Sequence, residues 1–228
     1  MIDTNDYYVI RTKRKTIALC ISGGKLEVRA PLTMPIEEIM AFIEKKSEWI
    51  QRKLGLSKDL AAKKAAFRLS YGDEILFMGR LFSINSKPGN TIGFTNKGFH
   101  VPPCLSDRQL KAACILIYKR LAKWVITKKV QKFAQQMNQY PDIVRISSAK
   151  TRWGSCSSRK SLNFSWRLIM AEDYVIDYVV VHELAHLQEM NHSPRFWQVV
   201  ASTLPDFAER KKRLRELYTH LASENWDA

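Results

Sequence analysis

No apolar run in these 228 residues approaches the ~18 needed to cross a bilayer, so no transmembrane helix is expected. The first six residues, Met1 to Asp6, have no basic stretch followed by an apolar one, so a secretory leader is not expected either. The cysteines, Cys20, Cys104, Cys114 and Cys156, form no C-x-x-C pair. That removes the common thiolate zinc and redox motifs, and points to reduced thiols in a cytoplasmic setting. There is no internal repeat and no low-complexity linker, which argues against a solenoid. Acidic residues are also short, at 22 Asp+Glu against 37 Lys+Arg, giving a net charge of +15. Such an excess favours anionic partners such as nucleic acid, phosphate or an acidic substrate, although a solubilising surface has the same composition.

The pattern of elements predicts an α+β fold. Short β-branched runs at 7–11, 16–21 and 25–29 read as strands, with Gly23-Gly24 as the turn between the last two. Ile36, Ile39, Met40, Ile43 and Ile50 recur at helical spacing, so 35–54 reads as a helix ended by Gly55. A hairpin is expected over 74–85 with Gly79-Arg80 at its turn, followed by a loop over 86–103 with one further strand. Ser106 and Gln109 have capping-box spacing and open a long helix with one basic face, stopped by Pro141. Two strands, 143–148 and 162–168, flank a polar loop. Three helices follow, over 173–190, from Ser193-Pro194 and from Pro205. The composition shift suggests a β-rich part over 1–103 and a helical part over 104–228.

The chemistry concentrates in His182-Glu183-Leu184-Ala185-His186. On a helix, residues four apart share a face, so both imidazoles can reach one metal ion. Glu183 beside them is placed to act as general base toward a water that the metal activates. Of only five histidines, a third, His192, lies within eleven residues of His182. Asn191 suits a left-handed helix end and Ser193-Pro194 starts a new helix, so the chain can turn and bring His192 back. Three imidazoles leave one tetrahedral position open, the layout of a catalytic zinc site. A later carboxylate, Glu209 or Glu216, is the competing third ligand, and Glu189 is a candidate to orient a ligand.

A second cluster is Arg152-Trp153-Gly154-Ser155-Cys156. From Ile143 to Ala171 there are six basic residues, Arg145, Lys150, Arg152, Arg159, Lys160 and Arg167, and no acidic one. Such a stretch can hold phosphate or stabilise a developing oxyanion, and a solvated turn explains it equally well. Cys156 as a nucleophile is disfavoured, because the metal motif already supplies an activated water. Two further basic runs, 11–15 and 210–213, could touch nucleic acid or simply be solvated.

These motifs together resemble the YgjP-like zinc metallopeptidase family. The resemblance rests on His182–His186, on Asn191-His192-Ser193-Pro194-Arg195-Phe196-Trp197, and on the motifs around 152–157 and 163–168. It extends to Arg14-Lys15-Thr16-Ile17, Val28-Arg29-Ala30-Pro31, Trp49-Ile50 and Tyr71-Gly72-Asp73-Glu74, and so spans about 8–220. It implies a zincin-like fold, zinc held by His182, His186 and His192, and Glu183 as catalytic base. Arg152, Trp153, Ser155, Arg167 and Arg195 would contact substrate. The implied substrate is a peptide, with a nucleoside triphosphate of the UTP type as the alternative and a nucleic-acid-associated protease as a second one.

Overall fold

Strand β3 (Lys25–Pro31) buries alternate residues, Leu26, Val28 and Ala30, and so has one apolar face to cover. The computed structural model, which describes residues 7–22 and 24–227, shows what covers it. β3 is the centre of a three-stranded sheet, parallel to β1 (Tyr7–Thr12) and antiparallel to β2 (Ala18–Ser22). Helices α1 (Ile36–Lys45) and α2 (Ser47–Ala66) lay Ile39, Ile43 and Ile50 on that face. The expected leaderless stretch 1–6 lies outside the described residues. So does Gly23 of the expected turn, whereas Gly24 has the positive φ of 77° that such a turn requires.

Two expectations for this part need correction. The single helix over 35–54 is two helices that break at Lys46. Gly55 does not end the second one. A Cβ there would meet open space, and the Ala- and Lys-rich residues that follow carry the helix on to Ala66.

The chain divides into two units. One runs to Phe67 and takes in Ala222–Asn225; the other runs from Arg68 to Leu221 and takes in Trp226. The division therefore does not coincide with the composition shift at 103. Hydrogen bonds give the reason. Met78 N–H donates to the Ile169 carbonyl at 2.8 Å and Gly79 N–H to the Met170 carbonyl at 3.1 Å. The Tyr118 hydroxyl donates to the Leu76 carbonyl at 2.6 Å. Residues 68–103 are thus built into the helical part.

In this second unit, β4 (Glu74–Phe77) and β5 (Arg80–Ser86) form the expected hairpin, turning on Met78-Gly79 with both φ positive. The loop expected over 86–103 holds two strands, β6 (Gly93–Thr95) and β7 (Gly98–Val101), in the order β4-β5-β7-β6. Helix α3 (Asp107–Met137) starts on the Ser106/Gln109 capping box. It ends at Asn138 in the left-handed conformation, before Pro141 is reached.

The third sheet is β8 (Ile143–Ser147), β9 (Gly154–Cys156) and β10 (Ser161–Ser165), in the order β8-β10-β9. A 3-10 helix, Trp166–Met170, replaces the second half of the strand expected over 162–168. Helices α4 (Asp173–Ala185), α5 (Pro194–Thr203) and α6 (Phe207–Leu221) complete the unit. All four cysteines are unpaired, and no described helix is long and apolar enough to cross a membrane.

Helix α4 is fixed by an ion-pair network. Lys129 of α3 reaches Asp173 at 2.8 Å and Asp177 at 2.6 Å, and Arg210 of α6 reaches Asp177 at 4.0 Å and the Tyr174 carbonyl at 2.8 Å. The side chains of Lys129, Asp177 and Arg210 are 12%, 14% and 14% exposed, so removing the shared carboxylate leaves two largely buried cations with one carboxylate each, Asp173 for Lys129 and Asp206 for Arg210. D177A is expected to destabilise the protein by about 1–3 kcal/mol, read as a lowered Tm. An unchanged Tm would show that α4 does not depend on this network.

Candidate metal centre

Helix α4 is apolar nearly all round. Val175, Ile176, Val179, Val180, Val181, Leu184 and Ala185 are all buried. The polar groups of its last turn are therefore carried into the interior. Glu183 is 5% exposed and His186 9%. The helix stops at Ala185 rather than Met190. Tight turns then run through Leu187, Gln188 and Glu189, whose N–H groups donate to the Leu184 and Ala185 carbonyls. Asn191 is not left-handed, contrary to expectation; the turns from 187 already reverse the chain. The Ser193 hydroxyl accepts the Phe196 N–H at 3.3 Å, with Pro194 in the first turn of α5, as expected.

The return brings His192 back onto α4. Its Nε2 lies 3.1 Å from His182 Nε2. One nitrogen from each of His182, His186 and His192 lies within 4.8 Å of the others. Neither Glu209 nor Glu216 joins this cluster: Glu209 is exposed and Glu216 pairs with Arg213 at 2.9 Å. The Glu189 backbone carbonyl, rather than its carboxylate, lies 3.0 Å from His186 Nδ1. With that nitrogen occupied, His186 Nε2 is left to act as the ligand. Phe196 packs its ring 4.5 Å from His186 and 4.9 Å from His182, and Trp197 stacks on His192 at 5.8 Å.

These residues fit a divalent cation. Ligands 2.0–2.1 Å from one tetrahedral ion sit about 3.3 Å apart, close to the His182–His192 separation. Burial and the neighbouring imidazoles hold His182 far below its usual value, at about 3, and burial lowers His186 too. Both rings are therefore neutral near pH 7, as ligation requires. His182 Nδ1 is buried with no hydrogen-bond partner. The donor set is imidazole only, which suits zinc and other borderline metals.

Glu183 points toward strand β9. A Cβ on Gly154 would stand 2.5 Å from Glu183 Oε1, so only glycine lets the strand approach this closely. Burial pushes the Glu183 carboxyl up to about 8, and the Arg152 charge pulls it the other way. Burial and Glu183 also raise the Cys156 thiol, which keeps it protonated and unsuited to attack.

The other expected substrate residues separate. Trp153 lines a cleft of about 200 Å³ with Gly154, His182 and Glu183. Ser155 and Arg152 line a different cavity, together with Cys156. Arg167 stacks on Trp166 at 4.5 Å and donates to the Ser148 carbonyl at 3.2 Å, and it lines neither space. Arg195 is exposed in the first turn of α5 and lines neither. In the run 210–213, Arg210 and Arg213 are engaged by Asp206 at 2.9 Å and by Glu172 at 2.6 Å.

Sequence reading missed Tyr178, Val179 and Leu214 in the cleft. It also missed an adjoining cavity of about 480 Å³ bordered by Trp153, Tyr178, Lys211, Arg215 and Tyr218. The signal for Tyr178 was available, since it sits one turn before His182 on the same helix.

The family model described as YgjP-like, metallopeptidase domain, matches residues 15–217. Two solved zymogens are similar over part of the chain. Abylysin from Pyrococcus abyssi is 22% identical with a TM-score of 0.38, covering 44% of this chain and 97% of its own. Jannalysin from Methanocaldococcus jannaschii is 18% identical with a TM-score of 0.36, covering 40% and 94%. Among curated proteins nothing matches this chain.

The raised Glu183 carboxyl has a stability consequence for the metal-free protein. The folded state holds a proton between its unfolded value of 4.5 and about 8, so stability is full below 4.5 and is lost as pH rises through 8. E183Q removes that dependence. The unfolding free energy of E183Q relative to wild type is expected to grow by roughly 2–4 kcal/mol between pH 5 and pH 8, measured by denaturant titration without metal. His182 has the opposite sign, losing stability as pH falls from 6.5 toward 3, but it is present in both proteins and cancels. A pH-independent difference would contradict the buried-carboxyl assignment.

Proposed function

The chain belongs to the YgjP-like metallopeptidase family, and from that premise we propose a zincin-like, zinc-dependent peptidase centred on His182, His186, His192 and Glu183. The observation that carries this reading is the convergence of three imidazoles beside a buried carboxylate. When bound, the ion supplies Lewis acidity that polarises the scissile carbonyl and makes water a better nucleophile.

The chain's own groups do the rest. His182, His186 and His192 hold the ion. Glu183 takes the proton of the attacking water and delivers it to the leaving amine. Arg152 favours the ionised carboxylate that the first step needs. Trp153, Tyr178 and Leu214 wall the cleft and limit water around Glu183.

The substrate that fits is an extended peptide. β10 is flanked by β8 and β9 and offers no edge; of the two edge strands, β9 is the one that lies against Glu183. β9 supplies the edge. The Trp153 carbonyl accepts from Ser165 N–H at 2.8 Å and Ser157 N–H donates to the Ser161 carbonyl at 3.0 Å. Alternation then turns the backbone groups of Gly154 and Cys156 away from β10, open to a peptide strand. The four free cysteines suit a cytoplasmic setting.

E183Q is expected to keep about one zinc per chain while kcat/KM on peptides falls by at least ~100-fold. G154A is expected to lose activity in the same way, because its methyl would displace the Glu183 carboxylate. Retained turnover in zinc-loaded E183Q would overturn the base assignment. A panel that sets peptides beside UTP, with the E183Q control, separates peptide hydrolysis from triphosphate hydrolysis.

A further inference from the structure

A cavity of about 540 Å³ lies against the β8-β10-β9 sheet, lined by Arg145, Asn163 and Ser155 among others. Strand register explains its chemistry. Arg145 of β8 pairs with Asn163 of β10, and Asn163 with Ser155 of β9. Directly paired residues share a face, so these three side chains form one row across the sheet. The opposite face carries buried Leu162 and Phe164, and Gly154 against Glu183.

Arg152, just before β9, and Arg159, in the β9–β10 turn, border the same space. No acidic residue lines it, and none of the three arginines is ion-paired with a described residue. Three guanidinium groups with no carboxylate partner form a receptor for an oxyanion.

We propose that this cavity is a specificity subsite that selects a glutamate or aspartate side chain in a peptide paired along β9. The proposal rests on the peptidase reading above. A peptide strand on the β9 edge extends the sheet by one position, and every second side chain then lies on the face that carries Ser155. Such a side chain is next in the row formed by Arg145, Asn163 and Ser155. A carboxylate there meets the arginines, whereas a lysine meets uncompensated positive charge.

The test uses the zinc-loaded protein and a set of peptides in which one residue is varied through Glu, Gln and Lys at successive positions. At one or more positions, kcat/KM for Glu is expected to exceed that for Gln by about 10- to 100-fold. In R145E/R159E the ratio is expected to fall below one and the Lys peptide to become the better substrate. Arg152 is left intact because it acts on Glu183. Loss of a merely structural role would not reverse the preference. Equal rates for Glu and Gln at every position in the wild type overturn the proposal and leave the peptidase reading standing.

Binding of labelled Glu and Gln peptides, measured by fluorescence anisotropy, gives a second readout that needs neither turnover nor the double variant. If no peptide is cleaved, the peptidase reading fails. Tighter binding of the Glu peptide then still supports the cavity's selectivity, and equal binding overturns it. Binding of UTP with no binding of the Glu peptide also overturns it, in favour of a polyphosphate.

Discussion

The close approach of helix α4 to strand β9 is the constraint on which the rest of the site depends. At that crossing Glu183 lies against Gly154, and no side chain fits between them. The consequence is electrostatic as well as steric. A carboxylate pressed under a sheet edge loses water, so its pKa rises toward the range where it can both accept and return a proton. The same burial keeps His182 and His186 neutral and ready to bind a cation. Lys129 and Arg210, clamped on Asp177, hold the helix where this crossing occurs.

Much of the site was legible because it is local. The i, i+4 spacing of His182 and His186 requires only a helix, and the Ser193-Pro194 start requires only capping chemistry. The turn between them was right in outcome and wrong in detail, since the chain reverses through 187–189 rather than at a left-handed Asn191. Strand β9 was less visible. Three residues inside a Gly- and Ser-rich loop carry no periodicity, and their strand character comes from pairing with β10. Tyr178 was legible but hidden among core-like neighbours, while Leu214 comes from α6, far away in sequence.

The α+β class followed from the order of elements, but the division between units did not. Composition changes near 103, yet the hairpin at 74–86 hydrogen-bonds to the 3-10 helix and to Tyr118. Such long-range bonds leave no trace in local composition. Charge shows the same contrast. The excess of +15 is one number in the sequence. In the fold Arg210 and Arg213 are held in ion pairs, whereas Arg145, Arg152 and Arg159 surround one open cavity.

The central claim is that His182, His186 and His192 together hold a metal ion. The most direct measurement is the metal content of the purified, zinc-equilibrated protein by mass spectrometry, compared with H186A and H192A. The account predicts one zinc per chain in the wild type and a loss of at least ~10-fold in affinity for each variant. Full, tight occupancy in H192A would contradict it and would require a different third ligand.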